Sequence, residues 1–98
     1  MNNWYSEDVS SLFQAIASLE TEEECRQFFE DACTVREILE IAQRLKVAKM
    51  LNDKASYSTI NRETGVSSAT ISRVSRCLDY GSGGYRLVIE RMEKGTQA

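Results

Sequence analysis

Apolar residues recur at spacings of three and four along nearly the whole chain, and this period predicts an all-helical protein. Val9, Leu12, Phe13, Ile16 and Leu19 form one stripe within 6–19, after Trp4 and Tyr5, with Ser6 placed to cap it. Thr21 and Glu24 have capping-box spacing and open a second helix, whose apolar face is Cys25, Phe28, Phe29 and Ala32. Thr34 and Glu37 repeat that spacing and open the third and longest helix, reaching about Leu51. Val35, Ile38, Leu39, Ile41, Ala42, Leu45, Val47, Ala48 and Leu51 cover more than one stripe of it, which predicts burial on several sides. Residues 52–55 break the pattern.

The stretch 56–78 has a different design. A short helix carries Ile60 and Thr64 on one face, Gly65 and Val66 form a tight corner, and Ser67 caps a second helix. That second helix sets Ile71, Val74 and Leu78 on one side and leaves Ser68, Ala69, Thr70, Ser72, Arg73 and Arg76 on the other. This is a helix-turn-helix whose second helix is slim enough at its front for a DNA major groove. Arg73 and Arg76 suit phosphate or base contact. Thr64 stands where such corners usually bury a larger aliphatic residue. A corner that only packs has the same outline, so a helical protein–protein interaction module with a structural helix-turn-helix is the alternative. Residues 79–84 read as a flexible linker, with no strand before them and no Gly-Lys-Ser/Thr after them to make a phosphate cradle. Tyr85, Val88, Ile89 and Met92 mark a closing helix over 85–95.

Composition supports helices: there is no proline, and only five of the 98 residues are glycine. No apolar run is long enough to span a membrane, and the opening residues have no basic region of the secretory kind, so a cytoplasmic protein is expected. Cys25, Cys33 and Cys77 are odd in number and lack CxxC spacing, which predicts reduced, buried small hydrophobes. Without histidine no metal site is expected, and no nucleophile has a neighbouring base, so no catalytic residue is assigned and the chain is not read as an enzyme.

The net charge of −3 hides a division. Residues 1–40 hold ten acids and two bases, whereas 41–98 hold ten bases and five acids. The basic part contains the helix-turn-helix, which favours DNA over a solvated face of no function. So short a chain cannot bury Trp4, Phe13, Phe28, Phe29 and the wide third helix around one centre, and a dimer through the N-terminal helices is expected. The predicted layout is one helical domain, 1–98. Its parts are dimerisation helices over 1–33, the central helix and linker over 34–55, the helix-turn-helix over 56–78 and the last helix over 85–95.

The segments QRLKVAKML and INRETGVSSATISRVSRCL resemble the tryptophan repressor superfamily, in its Trp-repressor-like branch of Gram-positive bacteria. The resemblance covers 34–78 well, is fairly specific in GVSSATISRVSRCL, and holds in outline elsewhere. It implies a six-helix protomer, an intertwined homodimer and repression by binding a double-stranded DNA operator. Two arginines that flank the indole in tryptophan-sensing members match Arg44 and Arg73. Thr34 and Thr70 match pocket-lining positions. Val74 replaces a glycine there, and Cys77 replaces a serine that meets the ligand's ammonium group. The resemblance thus implies a small-molecule corepressor, while these two departures argue against tryptophan. On the DNA side Ser67, Ser68, Ala69, Thr70 and Ser72 match the front of the reading helix, and Asn61 matches a position near the DNA backbone. Ser58 replaces an arginine that contacts a base, implying a different operator sequence.

Overall fold

A computed structural model describes residues 4–97. Six helices follow one another, with no strand among the described residues: α1 (Glu7–Ala17), α2 (Glu22–Ala32), α3 (Val35–Asn52), α4 (Tyr57–Thr64), α5 (Ser68–Tyr80) and α6 (Gly84–Gln97). Hydroxyls write most of the starts. Ser6, Thr21, Ser56 and Ser67 each stand in extended backbone before a helix and accept the N–H three residues on. Each pairs a donor that the first turn leaves open, a cap worth about 1 kcal/mol. Thr34 and Glu37 complete a capping box: Thr34 Oγ1 accepts the Glu37 N–H at 3.1 Å, and Glu37 Oε1 accepts the Thr34 N–H at 2.8 Å. At Thr21 the box is displaced, because Glu24 Oε1 takes the N–H of Glu20 instead.

The chain divides into two compact units, one ending at Ile38 and the other beginning at Leu39. In the first, neither α1 nor α2 has a buried residue. Its aromatic rings make local contacts: Tyr5 lies edge-on to Phe13 at 5.5 Å, and Phe28 edge-on to Phe29 at the same distance. Arg26 clasps Glu23 and Glu30 along the exposed side of α2. That pairing lowers the Glu23 carboxyl below its ordinary range and raises the Arg26 guanidinium.

The second unit has the core. Val47 and Ala48 of α3 meet Ile60 of α4, Val66 of the corner, Ile71, Val74 and Leu78 of α5, and Ile89 of α6. Met50, Leu51, Ala55 and Tyr85 pack against this cluster. The expected stripe Ile71, Val74, Leu78 is thus the inward face of α5.

Three expectations change. α3 is not buried on several sides of the single chain: only Val47 and Ala48 are, while Val35, Leu39 and Ile41 are 67%, 63% and 48% exposed. The core of the second unit receives one side of the helix, the side of Val47 and Ala48. The three thiols are free, but Cys25 and Cys77 are exposed and Cys33 half-buried, so they are not core residues. Cys25 lies on a helix with no buried position. Finally, Asp79 and Tyr80 continue α5 instead of opening a loop. The helix stops at Gly81, where a Cβ would run into the carbonyl oxygen of Cys77.

Candidate nucleic-acid interface

The helix-turn-helix is built around a left-handed residue. Gly65 has φ +74°, and its N–H returns to the Asn61 carbonyl at 2.8 Å. A side chain here would meet open space, so the glycine answers the backbone angle and not a steric limit. Val66 then drops into the core at 7% exposure.

Polar side chains finish the corner. Thr64 Oγ1 donates to the Ile60 carbonyl at 2.7 Å and accepts the Val66 N–H at 3.1 Å. The Asn61 amide donates to the Val66 carbonyl at 2.8 Å. From α3, Gln43 Nε2 donates to the Thr64 carbonyl at 3.1 Å. The departure at Thr64 therefore has a reason: an aliphatic residue would fill space but leave Val66 N–H without this acceptor.

With Ile71, Val74 and Leu78 sealed inward, the other side of α5 faces solvent. Ser67, Ser68, Ala69, Arg73 and Arg76 are exposed, and Thr70 and Ser72 are half-buried. Ala69, Arg73, Arg76 and Tyr80 follow one another at helical spacing along that side. Among the described residues neither Arg73 nor Arg76 is paired with a carboxylate. Ser67 Oγ is committed, accepting the Thr70 N–H and donating to Thr70 Oγ1, both at 3.2 Å. Ser68, Ala69, Arg73 and Arg76 are therefore the free outward groups, with Ser72 at the margin. Ser58 is exposed on α4, and the Asn61 amide expected near a DNA backbone is turned to Val66.

One groove of the second unit includes a residue expected to line a ligand pocket. This groove of about 580 Å³ is lined chiefly by apolar side chains, among them Ile41, Leu45, Tyr85 and Val88. Of Arg44, Thr70, Arg73 and Cys77, only Cys77 lines it. Arg44 is half-buried, and the Thr34 hydroxyl, in the other unit, is engaged with Glu37. Two residues of this region carry features that the sequence pattern does not single out. Tyr80, 86% exposed, falls in the stretch that reads as a linker, although it continues the spacing from Ala69. Gln43 carries no signal, since its bond joins residues 21 positions apart.

Comparison with known proteins agrees with this geometry. The family model described as Trp repressor protein matches residues 7–93. An uncharacterized protein, YerC of Bacillus subtilis, is 48% identical over 87 residues, covering 89% of this chain and 84% of that one. The crystal structure of a TrpR-like protein from Eubacterium eligens superposes with a TM-score of 0.89 at 50% identity, covering 94% of this chain and 96% of that one. A structure from Staphylococcus aureus gives 0.85 at 49% identity, with coverages of 90% and 88%. A match across nearly every helix, with relatives near half identity over most of their lengths, leads to one conclusion: the chain belongs to the Trp repressor family.

Proposed function

We propose that this protein is a sequence-specific DNA-binding transcription regulator, acting as a homodimeric repressor. The observation that carries the reading is the outward side of α5. It combines small front residues, Ser68 and Ala69, with two uncommitted arginines on a helix anchored by three buried residues. Small side chains let a helix approach base edges, and arginines hold phosphates or guanine. Ser68, Ala69, Thr70 and Ser72 face the bases in this proposal, and Arg73 and Arg76 the backbone or base edges.

The dimer is supported by surfaces that one chain leaves open. Leu39, Ile41, Leu87 and Val88 are all exposed beyond 40%, and the groove beside Tyr85 is apolar. A symmetric second copy would cover them and set two reading helices on neighbouring half-sites. No described helix is long and apolar enough to cross a membrane.

The test is selection of duplexes from a random pool, followed by titration across salt. The expected outcome is one pseudo-palindromic sequence, bound with a steep salt dependence by a species of dimer mass. Repeating the titration with a metabolite extract reveals whether a small molecule gates binding. Failure to select any sequence, with stoichiometric recovery of one protein partner unaffected by nuclease, would establish the interaction module instead.

A further inference from the structure

We infer that Gln43, Asn61 and Thr64 are positioning residues that fix the angle at which α5 leaves the corner, and hence how the reading helix meets DNA. The inference rests on the DNA-binding reading of α5. Four side-chain bonds involve Thr64 or Val66, the two residues that flank Gly65. Thr64 ties its own hydroxyl back to Ile60 and forward to Val66 N–H, Asn61 holds the Val66 carbonyl, and Gln43 holds the Thr64 carbonyl from α3. Gly65 alone would leave this corner free to swing, because glycine adopts many backbone angles at little cost. Instead both amide-group ends of Val66 are occupied by α4 side chains, and its apolar part is buried. Val66 precedes Ser67, the cap of α5, so its orientation sets the direction of the helix start. Gln43 adds a link from a helix whose Val47 and Ala48 are core residues, so the corner is referenced to the core and not only to α4.

None of the three side chains needs to touch DNA for this role. It differs from simple packing in what it predicts. A structural contributor lowers stability and leaves the folded protein's selectivity intact. A positioning residue lowers selectivity at temperatures where the protein stays fully folded.

The experiment compares Thr64→Val, Asn61→Ala and Gln43→Ala with Thr64→Ser, which keeps the hydroxyl. The probes are the duplex selected by the unmodified protein and a scrambled duplex of equal length. The expected result is a roughly tenfold loss of affinity for the selected duplex in the first three, unchanged affinity for the scrambled one in Thr64→Val and Gln43→Ala, and recovery in Thr64→Ser. Amide exchange at Val66 in the free protein is expected to quicken by a similar factor in Thr64→Val. Equal selectivity in all variants, with the unmodified protein binding its duplex, overturns the positioning role and leaves DNA binding standing. If the unmodified protein selects no duplex, the DNA reading itself falls. Unchanged exchange at Val66 in Thr64→Val overturns the clamp without reference to DNA. Gln43 is exposed, so Gln43→Ala keeps the comparison available if a corner variant fails to fold.

Discussion

Arg86 of α6 donates from Nε to the main-chain carbonyl of Leu78 on α5 at 2.8 Å, while its Nη2 reaches Asp79 at 3.2 Å. The last carbonyls of a helix lack intrahelical partners, and here a side chain from the next helix supplies one. The bond closes the corner at Gly81 and ties the end of α5 to α6. The ion pair with Asp79 is half-exposed on both sides and contributes little after solvent screening. Arg86→Ala should therefore destabilise the protein by about 1 kcal/mol, mainly through the Leu78 carbonyl. Arg86→Lys restores the charge but not the Nε geometry. Urea unfolding should find both variants weakened alike. Recovery in Arg86→Lys would instead give the weight to the ion pair.

The helices were legible because their chemistry is local. Ser6, Thr21, Thr34 and Ser67 each act within three residues, so a reading of spacing finds them. The inward side of α5 was legible for the same reason, since Ile71, Val74 and Leu78 repeat at the helical period. α3 misled the reading, because an apolar surface says that something covers it and not whether that cover is the same chain. The exposure of Leu39 and Ile41 is the physical form of that ambiguity. The polar corner was legible only in part. Thr64 stood out as a departure, but its two bonds depend on the φ of Gly65 and on where Val66 turns. The Gln43 bond depends on α3 lying beside the corner, which no periodicity encodes.

Ile71 belongs to the buried cluster of the second unit, at 0% exposure. Removing buried methylenes forfeits both transfer free energy and packing contacts. Ile71→Ala should cost about 2–5 kcal/mol, and Ile71→Val about 0.5–1.5 kcal/mol. Stability in a small domain is itself about 5–15 kcal/mol, so the first substitution removes a large share of it. Thermal unfolding followed by circular dichroism checks the order and size of the two effects. A small loss in Ile71→Ala would mean that the cluster collapses to refill the space.

Glu37 gives the start of α3 a pH dependence of definite sign. Its carboxyl lies below the ordinary range, chiefly because it accepts the Thr34 backbone N–H and secondarily the Thr34 hydroxyl. A carboxyl lowered by folding stabilises the folded form above its unfolded-state pKa. That contribution is lost as pH falls through the folded-state value. The cap of α3 should thus weaken only in acid. An NMR titration of the Glu37 side chain should give a midpoint below that of a glutamate in the unfolded chain. Thr34→Ala should raise the midpoint part of the way, because the backbone N–H remains. No difference between folded and unfolded midpoints would count against the bond.

Arg76 tests the outward side of α5 without disturbing what holds it. It is exposed, it has no carboxylate partner among the described residues, and the core residues Val74 and Leu78 lie on the opposite side. Arg76→Ala should leave the melting temperature nearly unchanged. If Arg76 neutralises a phosphate, the variant binds every duplex more weakly by a similar factor. The slope of log affinity against log salt then falls by about one. If it reads a base, the loss concentrates on the selected duplex, and preference relaxes at one position of the half-site. Comparing selected and scrambled duplexes over a salt series separates the two. An affinity unchanged on both would remove Arg76 from the interface and shift the burden to Arg73 and the small residues at the front of the helix.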